Sequence, residues 1–124
     1  MFVKEWMSRG LITVAPNATL DEALKLMETN KIRRLPVVDG GKLVGIVTDR
    51  DLMKVSPSPA TTLSKYELNY ILEKIIIKDI MSKKLYTINQ NSTIEEAALI
   101  LFNEKIGGIP VVEDSGAIVG VITE

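Results

Sequence analysis

The chain has 124 residues, with 15 Lys or Arg against 16 Asp or Glu and a formal net charge of −1. That length suits one compact domain or two very small ones, and the balanced, scattered charge recruits neither nucleic acid nor an anionic membrane. Apolar residues make up 46%, enough for a substantial core, while the absence of histidine and cysteine excludes disulfides, thiolate chemistry, Cys/His zinc sites and the commonest general base, and fits a reducing cytoplasm.

From the N-terminus, Met1 to Met7 carries Lys4 and Glu5 and is not read as a signal peptide, and no window approaches the length of a membrane span. Leu11 to Val14 reads as a short strand closed by Pro16 and Asn17. Thr19 and Glu22 have capping-box spacing and open a helix with apolar positions at Leu20, Ala23, Leu24 and Met27. Leu35 to Val38 is a second strand, and Gly40-Gly41 a tight turn into a third, Leu43 to Thr48. A second helix follows Thr48 and stops before Ser56. SPSPATT, from Ser56 to Thr62, is a turn-rich linker. Ser64 and Glu67 form another capping box, opening a helix with Leu68, Ile71, Leu72 and Ile75 on one face. Tyr66 and Tyr70 on that helix read as interface or core rim rather than ligand contacts.

The remainder repeats the beginning. VKEWMSRGLITV from Val3 realigns with IKDIMSKKLYTI from Ile77, so that Met7-Ser8 answers Met81-Ser82 and Thr13 answers Thr87. Thr19, Glu22 and Ala23 recur as Thr93, Glu96 and Ala97, and Pro36-Val37-Val38 as Pro110-Val111-Val112. One extra residue enters near Ser115, after which IVGVITE answers LVGIVTD. Each repeat therefore reads β-α-β-β-α, the second through Leu85 to Ile88, Thr93 to Asn103, Ile109 to Val112 and Ile118 to Thr123. The divisions are 1–55, a linker and connecting helix at 56–76, and 77–124. The last helix of the second repeat is missing, and the expectation is a fragment of a longer protein.

The stretch GIVTDRD, Gly45 to Asp51, is the candidate site. A buried strand runs into a helix whose cap and third residue are Thr48 and Asp51. The unpaired N–H groups of such a helix start favour an anion, and the Asp51 carboxylate can accept a pair of sugar hydroxyls. A nucleotide fits both, with phosphate near Thr48 and ribose at Asp51; the plain alternative is that the two residues only cap a helix.

Two β-α-β-β-α units, each with a Leu/Ile-Pro-Val-Val strand and a Gly-apolar-apolar-Thr ending, resemble a tandem pair of CBS (cystathionine β-synthase) domains, the Bateman module. GIVTDRD matches that family's nucleotide-binding pattern, and LSKYELNYILEKIIIKDIMSK is similar to the acetoin-utilisation B-type regulators, which carry an ACT domain after the pair. The resemblance implies an α/β (α+β) fold, two units packed as a pseudo-twofold pair, and a regulatory sensor that is not an enzyme. It implies AMP, ADP, ATP or S-adenosylmethionine held between the units as a regulatory ligand, a disc-shaped homodimer, and a fused or separate effector domain. Carried over by position, Thr48 touches ribose or phosphate, Asp51 the ribose hydroxyls, and Asp49 lies beside them. Ile12, Thr13, Tyr86 and Thr87 line the base, and the segments Arg33-Arg34-Leu35-Pro36 and Gly107-Gly108-Ile109-Pro110 face the ligand. Thr123 is the second repeat's counterpart of Thr48.

The two halves differ in charge. Arg33-Arg34 supplies two guanidinium groups able to fork onto phosphate oxygens, where the second repeat has Gly107-Gly108. One principal site, built on the first repeat's GIVTDRD, is expected. Catalysis lacks a nucleophile or tuned acid–base pair, and no metal site is assigned, although Asp49 and Asp51 offer oxygen ligands to a divalent ion bound with a nucleotide. The rival reading is a ligand-free interaction module that docks through the helix carrying Ala97, Ala98, Ile100 and Leu101.

Overall fold

Repetition in the sequence becomes repetition in space, though the two divisions of the chain do not coincide. The computed structural model describes residues 1–55 and 64–123, so the SPSPATT linker and the end of the second repeat lie outside the described residues. Two compact units form. One comprises Ile12–Asp39 and Val44–Lys83; the other comprises Met1–Leu11, Gly40–Leu43 and Lys84–Glu124. Each unit thus takes its opening segment from the start of the other repeat.

In the unit that contains Thr48, helix α2 (Leu20–Asn30) begins where Thr19 Oγ1 accepts the Glu22 N–H at 3.2 Å. It ends on Lys31 in the left-handed region, φ 54°. The apolar spacing read from the sequence is its inner face: Leu20, Ala23 and Met27 are buried. Strands β1 (Arg34–Asp39) and β2 (Lys42–Thr48) form a hairpin around Gly40 and Gly41, whose φ values of 58° and 81° are open to glycine without strain. Helix α3 (Asp49–Val55) leaves β2 directly and drives Leu52 into the core with Leu35, Val37 and Val47, all at zero exposure. Helix α4 (Lys65–Lys74), capped by Ser64, lies against α2, and Leu72 and Ile75 pack on that core. Tyr66 and Tyr70 point outward, 90% and 64% exposed.

The expected strand at Leu11 to Val14 shrinks to one parallel bridge between Val14 and Val37. The Leu11 N–H turns back onto the Arg9 carbonyl at 2.8 Å and is lost to any ladder. A 3-10 turn at Ile77–Asp79 and its repeat counterpart, helix α1 (Val3–Trp6), have no signal among the expected elements. They bury Ile77 and Val3 at zero exposure, each in the unit built mainly from the other repeat.

The second unit restates the plan. Strand β3 is only Ile88–Asn89, parallel to β4 (Gly108–Val112), so the expected strand from Leu85 pairs only at its last residue. Helix α5 (Ile94–Glu104) is capped by Thr93 accepting from the Glu96 N–H, and it ends on left-handed Lys105, φ 53°. Strand β5 (Ile118–Thr123) is antiparallel to β4, with a register shift between Val111 and Val112. Val3, Met7, Ile109 and Val111 meet in this core.

The glycine at the head of each final strand has a packing role. Ser82 exchanges two backbone hydrogen bonds with Ile46, and Ser8 does the same with Val121, so a second chain segment closes the free edge beside Gly45 and beside Gly120. A Cβ on Gly45 would lie 2.5 Å from Met81 Sδ and 3.1 Å from the Ser82 carbonyl oxygen; on Gly120 it would lie 2.7 Å from Met7 Sδ and 2.8 Å from the Ser8 carbonyl oxygen. A methionine tip can swing aside and a paired carbonyl cannot. Gly120→Ala is therefore expected to lower stability by about 1–3 kcal/mol, and Gly45→Ala by less, as read from urea midpoints at unchanged m-value.

Candidate functional site

The GIVTDRD turn is built by local exchange. Thr48 Oγ1 accepts the Asp51 N–H at 3.2 Å, and Asp51 Oδ2 accepts the Thr48 N–H at 2.9 Å. This is a reciprocal capping box with Asp in the place of Glu. Asp49 Oδ1 accepts the Arg50 N–H at 2.9 Å, and the Asp49 N–H donates to the Arg33 carbonyl at 2.9 Å. Every N–H from Thr48 to Asp51 is thus satisfied within the chain. The donors that the sequence reading leaves open to an anion are taken, and the turn forms no anion cradle.

What remains available is side-chain chemistry. The Thr48 hydroxyl, accepting from Asp51, keeps a hydrogen to donate. Asp51 Oδ1 and Asp49 Oδ2 have no hydrogen-bond partner among the described residues, and Thr48, Asp49 and Asp51 are all half-buried. Arg33 is exposed and Arg34 half-buried, and neither guanidinium has an ion pair among the described residues. The backbone bond from Asp49 to Arg33 joins the main chains of the arginine segment and of the carboxylate corner, and both lie in one unit.

In the same unit, Ile12 is half-buried and Thr13 exposed, while Leu35 and Pro36 are buried and Leu35 belongs to the core. Tyr86, Thr87, Gly107, Ile109, Pro110 and Thr123 belong to the other unit. There Tyr86 and Gly107 are half-buried, Thr87 and Thr123 exposed, and Gly108, Ile109 and Pro110 buried. The Lys84 ammonium lies 5.6 Å from the centre of the Tyr86 ring. Among the described residues no group of three or more acidic side chains could hold a metal ion, and no helix is long and apolar enough to cross a membrane.

Sequence reasoning missed the role of the Arg33 carbonyl. A main-chain acceptor leaves no mark in residue identity, and its partner is sixteen positions away.

A family model described as the CBS domain matches residues 3–58 and again 77–124. A CBS domain-containing protein of Dictyostelium discoideum is 38% identical over 124 residues, covering 99% of this chain and 86% of that protein. Among solved structures, a protein of Vibrio cholerae assigned to acetoin utilization (AcuB) matches with a TM-score of 0.83 at 31% identity, covering 99% of this chain and 84% of its own. The CBS domain pair of protein MJ0100, in complex with 5′-methylthioadenosine and S-adenosyl-L-methionine, gives a TM-score of 0.80 at 31% identity over 99% of this chain and 89% of that one. CBSX2 in complex with AMP gives 0.82 at 29% identity over 99% and 90%.

Proposed function

Because the chain belongs to the CBS domain family, as a tandem pair covering nearly its whole length, we propose that it is a regulatory module that senses an adenosine compound at the Thr48–Asp51 corner. The observation that carries this reading is the arrangement of groups there. Among the described residues a hydroxyl hydrogen on Thr48 and a carboxylate oxygen on Asp51 are both unspent, side by side, and the intervening Asp49 N–H is bonded to the carbonyl of Arg33, which like Arg34 has no ion pair there. A ribose diol needs an acceptor of this kind, and phosphate oxygens need guanidinium groups. Two structural relatives are described in complex with AMP or with 5′-methylthioadenosine and S-adenosylmethionine, which supports the class of ligand.

With the backbone donors of α3 occupied, phosphate recognition falls to side chains. Arg33→Ala and Arg34→Ala should each weaken ATP or ADP by about three- to tenfold and leave adenosine nearly unchanged, the size of one charge-assisted hydrogen bond partly screened by solvent. Calorimetric titration of the purified chain with adenosine, AMP, ADP, ATP and S-adenosylmethionine tests the whole reading. Silence toward all five sinks it, and equal losses for adenosine and ATP in the arginine variants remove the phosphate contact.

A second reading, an interaction module, has one observation in its favour. The outer face of α2 carries the Asp21–Lys25 ion pair at 3.0 Å and the exposed Glu28. At the matching positions α5 carries Glu95, Leu99 and Phe102, with Leu99 60% and Phe102 81% exposed beside an open groove lined by Ala98, Leu101 and Ile106. A face this apolar in only one of two equivalent helices marks a surface for a further protein element. Sedimentation of the wild-type chain against Phe102→Glu tests it, and an unchanged assembly state with no gain in solubility removes it. The two readings are compatible.

A further inference from the structure

The arginine arm and the carboxylate corner belong to different elements whose main chains meet. Arg33 and Arg34 enter β1, while Thr48, Asp49 and Asp51 start α3. Among the described residues their main chains are joined by the hydrogen bond from the Asp49 N–H to the Arg33 carbonyl, 2.9 Å, just beyond the paired ends of the β1–β2 hairpin. Asp49 is the first residue of α3, where an N–H has no partner inside the helix and is ordinarily left to water or to an anion. Here it is committed to the arm.

We infer that Asp49 is a positioning residue acting through its main chain. Its N–H sets the spacing between the guanidinium pair and the Asp51 carboxylate, and so fixes where a ligand's phosphates can lie when its ribose is held. The inference rests on the proposed adenosine site. It assigns the Asp49 amide a role independent of the Asp49 carboxylate, whose Oδ1 only accepts from the neighbouring Arg50 N–H. A ligand without phosphate makes no use of the spacing; a polyphosphate depends on it.

Backbone chemistry separates these roles. Asp49→Ala removes the carboxylate and keeps the N–H. Asp49→Pro removes both, and its ring carbon takes the place of the hydrogen, so the Arg33 carbonyl must move away. Proline is well suited to the first position of a helix, and the extended Thr48 that a helix cap requires also suits a residue before proline. Calorimetry with adenosine and with ATP reads the difference. Asp49→Pro should bind ATP about three- to tenfold more weakly than Asp49→Ala, with adenosine affinity equal in the two within about twofold. An amide-to-ester replacement at position 49, which deletes only the hydrogen, should reproduce the ATP loss if the proline variant folds poorly.

Equal ATP affinity in the alanine and ester or proline variants overturns the inference, as does an equal loss of adenosine and ATP. Should the wild-type chain ignore every adenosine compound, the ligand reading fails, and amide hydrogen exchange without ligand then decides the strut. Faster exchange at Arg34 and Leu35 in the ester variant than in Asp49→Ala supports it, and unchanged exchange overturns it.

Discussion

Replacing Ile77 by alanine is expected to cost about 2–5 kcal/mol, enough to unfold a marginally stable module at 37 °C. Ile77 opens the second repeat in sequence, yet its side chain is fully enclosed in the core with Leu35, Val37, Val47 and Leu52 of the first. Its N–H is bonded to the Ala18 carbonyl at 2.9 Å, so the segment is held by main chain as well as by packing and cannot easily collapse into the void. The removed branches leave a cavity and lose their transfer free energy together, the combination that makes buried truncations expensive. Urea denaturation followed by circular dichroism gives the value. The exposed Lys78 next to it provides the control, with Lys78→Ala expected within about 0.5 kcal/mol of wild type. A loss below about 1 kcal/mol for Ile77→Ala would mean that the first repeat holds together without the segment borrowed from the second.

Asp51 is expected to give the largest change in ligand affinity. Asp51→Ala should weaken adenosine binding by about ten- to a hundredfold, the range of a hydrogen bond to a charged group, 1.5–3 kcal/mol. It should also cost about 0.5–2 kcal/mol of stability, because Oδ2 caps the Thr48 N–H. Asp51→Asn divides the two effects. A neutral amide oxygen still accepts from Thr48, so the melting temperature should stay near wild type while adenosine affinity falls. Calorimetry and a thermal melt on the same samples check this. If the asparagine variant binds adenosine as well as wild type does, the corner is a helix cap and nothing more.

What could be read from the sequence, and what could not, follows the distance between interacting residues. The caps at Thr19, Ser64 and Thr93 span three positions, and in each the cap hydroxyl accepts the N–H of the Glu at 3.2 Å, because cap and donor belong to the same turn. The hairpin at Gly40-Gly41 was legible for the same reason. The internal repeat made the second unit's plan readable from the first, although the register shift between its two longer strands was not. Partners far apart in the chain left no such mark. Ser82 closing the edge at Ile46, and Arg33 taking the N–H of Asp49, depend on tertiary approach. The second of these reversed a local inference: a helix start that looked open to an anion has each of its first donors occupied. The residues named for the candidate site fell partly together, with Arg33, Thr48, Asp49 and Asp51 joined by hydrogen bonds in one unit.

The exchange of opening segments also bears on how the molecule is made. Met1 to Leu11 is translated ahead of the rest of the first repeat, but Ser8 finds its hydrogen-bonding partner only in Val121, deep in the second. Contacts of such sequence separation cannot form until the second repeat has been translated, and loops of that length close slowly. Until then Val3 and Met7 have no core to enter. During translation, therefore, this short segment must wait in solution or in the care of a chaperone until the second repeat has been made.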